Sequence, residues 1–143
     1  MRILALDVGT KRIGVAVTDP FGWTAQGIQS LERHTIQEDV KVLERLCREY
    51  EVERIIVGLP LDQEGGRGKS AKNMEYFQKM LETHLCQQGL SIPVEGWDER
   101  YSTAEAEERL IAADVSRKKR RKVIDKMAAV VILESYLRER HHS

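Results

Sequence analysis

Four acids carry the chemistry this sequence offers: Asp7, the adjacent pair Asp98 and Glu99, and Asp125. Asp7 closes an apolar strand-like run, where a lone carboxylate is costly unless it is paired, hydrogen-bonded or bound to a metal. In open α/β sheets ligands gather at the carboxyl ends of strands, the place this residue takes. The plainer role for it is to cap the following turn. Asp98 and Glu99 end a second apolar run just before a helix start. One of them can pair with Arg100 and the other favour the helix dipole. Alternation lets only one of the two face a site, and the sequence leaves open which. Asp125 stands at helical spacing from Ala128, Ala129, Ile132, Leu133 and Tyr136, a stripe that must face the sheet. A carboxylate at the head of such a stripe is unusual, the structural alternative being an ion pair with Lys122 or Lys126.

Three converging carboxylates without a histidine are a ligand set for Mg²⁺ or Mn²⁺, hard cations that prefer oxygen. Two such ions about 4 Å apart activate water and stabilise the leaving oxygen in phosphodiester hydrolysis, so the chemistry suggested is that of a nuclease. Positive charge flanks two of the acids: Lys11 and Arg12 follow Asp7, and the run Arg117, Lys118, Lys119, Arg120, Arg121, Lys122 precedes Asp125. Such runs usually decorate solvated helix ends, and Glu105, Glu107 and Glu108 partly offset this one. Phosphate-backbone binding nevertheless needs clusters of this kind. The loop Gly65-Gly66-Arg67-Gly68-Lys69-Ser70 resembles a phosphate-binding loop, but Gln63 stands where the pattern requires a glycine. Arg67 and Lys69 remain candidates for touching phosphate.

These residues need a scaffold. Residues 2–8 read as a strand, and after the turn Gly9-Thr10-Lys11-Arg12 the run Ile13 to Val17 reads as its hairpin partner. Residues 23–31 make a weaker third strand. Thr35 and Glu38 form a capping-box start for an amphipathic helix carrying Val40, Leu43, Leu46, Cys47 and Tyr50. Residues 54–58 give a short apolar strand, followed by a glycine-rich loop to Lys69 and a helix over about 70–88. Residues 92–97 form a fifth strand. Ser102 with Glu105 opens a helix to about Ala113, and a further helix runs from about Lys119 to Arg138. The order β-β-β-α-β-α-β-α-α predicts an α/β fold: a mixed five-stranded sheet flanked by helices, its first strand central and its later strands added in parallel. That is the ribonuclease-H-like layout, although pattern alone also admits other three-layer α/β folds.

The 143 residues, with 23 Lys+Arg against 23 Asp+Glu, 41% hydrophobic and 6% aromatic, fit one domain over 1–143. Collagen-like, disordered and small disulfide-scaffold classes are excluded. No stretch approaches the roughly 20 apolar residues that cross a bilayer, and no signal-peptide layout precedes Ile3; a cytoplasmic protein without a membrane partner is expected. Cys47 and Cys86 lie far apart without Cys-x-x-Cys spacing, which argues against zinc or a disulfide framework. Zero net charge argues against binding polyanions with the whole surface, not against a local cluster.

Four blocks, in order, resemble the YqgF family, described as Holliday junction resolvases and as nucleases of pre-16S ribosomal RNA. They are Asp7-Val8-Gly9-Thr10-Lys11-Arg12-Ile13-Gly14-Val15-Ala16, Ile56-Val57-Gly58-Leu59-Pro60-Leu61, Asp98-Glu99-Arg100-Tyr101-Ser102-Thr103, and Asp125-Lys126-Met127-Ala128-Ala129 leading to Ile132-Leu133-Glu134-Ser135-Tyr136. The resemblance covers essentially the whole chain. It implies a ribonuclease-H-like fold, a divalent-metal-dependent nuclease site at Asp7, an acid of Asp98-Glu99 and Asp125, and a bacterial cytoplasmic setting. One departure concerns the wider superfamily, whose resolvases place an acid in the strand corresponding to 54–58; here that strand ends in Gly58-Leu59-Pro60.

The leading expectation is therefore a Mg²⁺- or Mn²⁺-dependent nuclease that processes structured RNA, with the 5′ end of pre-16S ribosomal RNA as the substrate the family implies. Arg12, Arg100 and the basic run would hold phosphates, and Gly14 would leave room for the backbone to approach. Holliday junction resolution on branched DNA is the second reading, and symmetric cutting there calls for a homodimer. Two readings of another class are a small nucleotide-binding protein using the 58–70 loop and an RNA-binding module without turnover.

Overall fold

Side chains along a strand alternate between the two faces of a sheet, so a strand buried on both sides reads as continuous hydrophobics. Arg2–Val8 (β1) is such a strand, with Leu4, Ala5 and Leu6 completely inaccessible. A computed structural model describes the backbone over residues 2–59, 69–98 and 117–142, and side chains over 2–58, 72–97 and 126–140. Its remaining elements are β2 (Arg12–Thr18), β3 (Ala25–Glu32), α1 (Ile36–Glu49), β4 (Val52–Leu59), α2 (Lys69–Gln87), β5 (Val94–Asp98) and α3 (Arg117–His142). The helix expected from Ser102 to about Ala113 lies outside the described residues.

The five strands form one sheet in the order β3-β2-β1-β4-β5. β1 is central, antiparallel to β2 and parallel to β4, and β4 is parallel to β5, as the hairpin-then-crossover pattern predicts. On one face Leu4, Leu6 and Val8 join Ile13, Val15, Ile55 and Val57 under α1 and α2, whose buried side chains include Leu43, Phe77, Leu81 and Leu85. On the other face Ile3, Ala5, Ala16 and Ile56 pack with Ala129, Ile132, Leu133 and Tyr136 of α3. The cross-strand pair Ala5–Ala16 and its neighbour Gly27 are small, which lets a helix lie close to the sheet.

Several boundaries shift from the sequence reading for local reasons. β3 starts at Ala25, not residue 23, because the Asp19 carboxylate accepts the amides of Trp23 (2.7 Å) and Thr24 (3.1 Å) and holds both in the loop. β5 starts at Val94, because Pro93 has no amide to give a ladder, although its carbonyl still accepts from Ile55 N (3.0 Å). α1 begins as the capping box requires, with Thr35 Oγ1 accepting from Glu38 N at 3.1 Å.

The cysteines differ sharply in environment. Burial pushes the Cys47 thiol up to about 12, while Cys86 is exposed. Thiolate is the reactive form. In the native protein Ellman's reagent should therefore titrate one thiol per chain rapidly, the second appearing only in denaturant. Two fast thiols would show that the α1 face of the core opens in the native state.

Candidate functional site

Asp7 is the penultimate residue of β1 and is partly buried. Its place in the alternation is that of Ile3 and Ala5, so it belongs to the face that α3 covers. Directly across the antiparallel ladder its partner is Gly14. On the parallel side Leu6 pairs with Val57, and the next residue of β4 is Gly58. Asp7 is thus flanked on both neighbouring strands by a glycine in the alternation series of Ala16 and Ile56. At these two ladder positions neither neighbouring strand carries a side chain. One strand further out, Ser30 pairs with Gly14, and Trp97 pairs with Gly58.

The turn after Asp7 is tight and cationic. Gly9 N donates to Arg12 O at 2.8 Å. A Cβ on Gly9 would meet that same oxygen at 3.0 Å, which is why glycine stands there. Lys11 and Arg12 are exposed at the rim of this turn.

The second acid-bearing element is β5, whose last residue, Asp98, pairs in register with Leu59. Within β5 the odd positions serve the α3 face: Trp97 packs against the α3 cluster, whereas Val94 belongs to the cluster under α1 and α2. Trp97 also ties the strand to the helix. Its indole Nε1 donates to Ser135 Oγ at 3.2 Å, and its ring meets Tyr136 edge-on, with centroids 5.2 Å apart. Arg54 at the start of β4 donates to Tyr136 Oη (2.9 Å) and pairs with Glu95 (3.3 Å). That hydroxyl holds the Arg54 guanidinium above its ordinary value. The network fixes how far α3 can slide along the sheet.

Position 125 lies one turn before Ala129 on the stripe that meets the sheet, and every stripe residue from Ala128 to Tyr136 named above is buried. Lys126, offered as a partner for Asp125, lays its stem across Gly27 of β3. The side chains of Asp98 and Asp125, and of Lys69, Arg117, Lys118, Lys119, Arg120, Arg121 and Lys122, lie outside the described residues, as do Glu99, Arg100 and Arg67 altogether. Lys69 opens α2, and the six cations from Arg117 to Lys122 occupy the first turns of α3. Among the described residues no three of His, Cys, Asp and Glu form a metal-sized group.

Sequence reasoning missed the residues that set this geometry. Arg33, Arg54, Trp97 and Ser135 act across long sequence separations, and of this group and Asp39 only Asp39, which binds Arg33 and the nearby His34 amide, left a signal, as a charge on the apolar stripe of α1.

A family model described as RuvX, Holliday junction resolvase, matches residues 1–139. The chain belongs to the RuvX family. Relatives in this family include a protein of Geobacillus sp., 52% identical over 139 residues covering 96% of this chain and 97% of its own, and one of Desulforamulus reducens, 51% identical over 138 residues covering 96% of each. Both carry the provisional name pre-16S rRNA nuclease. RuvX members are thus nucleases, hydrolases of phosphodiester bonds. Among solved structures, Thermus thermophilus RuvC in complex with a Holliday junction superposes with a TM-score of 0.62 at 13% identity, covering 100% of this chain and 97% of that one. The fowlpox virus resolvase gives 0.58 at 16% identity, covering 97% and 99%. At such identities the likeness is one of fold, and it establishes the RuvX chain as ribonuclease-H-like.

Proposed function

We propose that this protein is a divalent-metal-dependent nuclease that processes the 5′ end of pre-16S ribosomal RNA in the cytoplasm. The observation that carries the reading is Asp7: a partly buried carboxylate at the carboxyl end of the central strand, with Gly14 and Gly58 as its neighbours on the two adjoining strands. A carboxylate site with oxygen donors and no histidine suits Mg²⁺ or Mn²⁺. Asp7, Asp98 or Glu99, and Asp125 would hold the metal. Bound there, the ion would activate water and stabilise the leaving oxygen.

The chain's own residues would do the rest. The glycines beside Asp7 would leave room for a phosphodiester to approach the carboxylates. Lys11, Arg12, Arg67, Lys69 and Arg100 would hold flanking phosphates. So would the run Arg117–Lys122, whose cations lie at the positive end of α3's dipole; such an arrangement is unfavourable by itself and relieved by an anion.

RNA is preferred as substrate because relatives at about half identity over nearly the whole chain are named for it. Branched DNA is the second reading, favoured by the family description. An end-labelled pre-16S 5′-leader RNA and a four-way DNA junction, incubated separately with Mn²⁺ or with EDTA, test both. Manganese-dependent cuts confined to the RNA are the expected result. Paired symmetric nicks in the junction, with a dimer in light scattering, would replace RNA processing by resolution. Tight RNA binding without any cleavage would reduce the protein to a binding module.

A further inference from the structure

We propose that Arg33 is a positioning residue, which presents the Gly9–Arg12 turn to substrate phosphates without touching them. The proposal rests on the reading of Lys11 and Arg12 as phosphate contacts and adds how those contacts are held. Arg33 follows β3 and is 18% exposed. Its Nη1 donates to Gly9 O at 3.0 Å, and its own amide donates to Lys11 O at 2.9 Å. One residue therefore grips carbonyls on both limbs of the turn.

The guanidinium has two further partners. Nε donates to Asp39 Oδ2 at 3.3 Å, and the group lies over the Phe77 ring, 5.4 Å from its centroid. Asp39 is 4% exposed, and its other oxygen accepts His34 N at 3.0 Å. A buried carboxylate neutralises the charge, and a ring covers its face, so this arginine is committed to the protein. With both carbonyls drawn inward, the exposed Lys11 and Arg12 are carried on a turn fixed at two points. Fixing them beforehand removes ordering cost that would otherwise be met on binding. A lysine has no fork and cannot reach Gly9 and Asp39 together.

A double-mutant cycle read by anisotropy of a labelled leader RNA, in Ca²⁺ or EDTA so that no cleavage intrudes, tests this. Arg33→Ala should weaken binding roughly five- to tenfold and lower the slope of log affinity against log salt by up to about two. In a Lys11→Ala/Arg12→Ala background the same change should cost nothing further. Arg33→Lys, which keeps the charge and disturbs the core least, should behave like alanine and serves if Arg33→Ala does not fold. Additive losses would make Arg33 a direct phosphate contact and overturn the proposal. Unchanged affinity with a lowered melting temperature would make it a structural brace only. In either case weakened binding by the Lys11→Ala/Arg12→Ala protein leaves the turn's reading standing, whereas full affinity in that protein sinks the reading itself.

Discussion

Asp7→Asn is expected to cut the rate of metal-dependent RNA cleavage by at least about a hundredfold while leaving the fold intact. The two side chains have nearly the same shape, so packing between β1 and α3 is undisturbed, and no charge must be buried in exchange. An amide oxygen is a far poorer ligand for a hard divalent ion than a carboxylate, and it removes one unit of the negative charge that draws the ion in. Lower metal affinity and a slower step at saturating metal should both appear. Asp7 sits near the carboxyl end of the central strand, and its neighbours in the ladders are Gly14 and, one residue beyond the Leu6–Val57 pair, Gly58, neither of which carries a side chain that could replace it. Circular dichroism and the melting temperature should stay close to wild type. Full activity in the variant would remove Asp7 from the site and with it the observation on which the nuclease reading stands.

The largest loss of stability is expected at Phe77, which is 1% exposed where α2 meets α1 and the sheet. Truncation to alanine removes the ring's transfer energy and leaves a cavity that rigid strands cannot fill, a combination costing about 3–5 kcal/mol. Against a typical total of about 5–15 kcal/mol, that is a large share, and the melting temperature should fall by roughly 10–15 °C. Phe77→Leu refills much of the space and should lose roughly half as much, yet it too removes the ring beneath Arg33. Urea unfolding of the two variants separates packing from the cation–ring contact. A drop below about 1 kcal/mol for the alanine variant would mean that this part of the core relaxes around the gap.

How much could be read from the chain depended on whether a feature was local. The strands showed because β1, β2 and β4 are buried on both faces, and the α1 start showed because Thr35 and Glu38 are three residues apart. The start of β3 did not, because it is set by one side chain, Asp19, taking two amides. The acids showed as charges in apolar settings, but that signal is not specific. Asp39 heads an apolar stripe in α1 just as Asp125 does in α3, and its role is to bind Arg33 and the His34 amide. A buried carboxylate thus announces a partner, not which kind. The Arg33 and Trp97 links join residues 24 and 38 apart, and no spacing rule reaches that far.

The order in which the layers are made has its own consequence. All five strands precede α3 in the chain, yet Ile3, Ala5, Ala16 and Ile56 are covered by that helix. While the protein is being synthesised, the side of the sheet that packs on α3 lacks that helix, and position 125 has not arrived. On the proposed reading of Asp125 as a metal ligand, a nuclease assembled this way would be latent at birth. It emerges as an incomplete sheet that needs shielding from its own kind, and it would gain the power to cut only when the last layer docks.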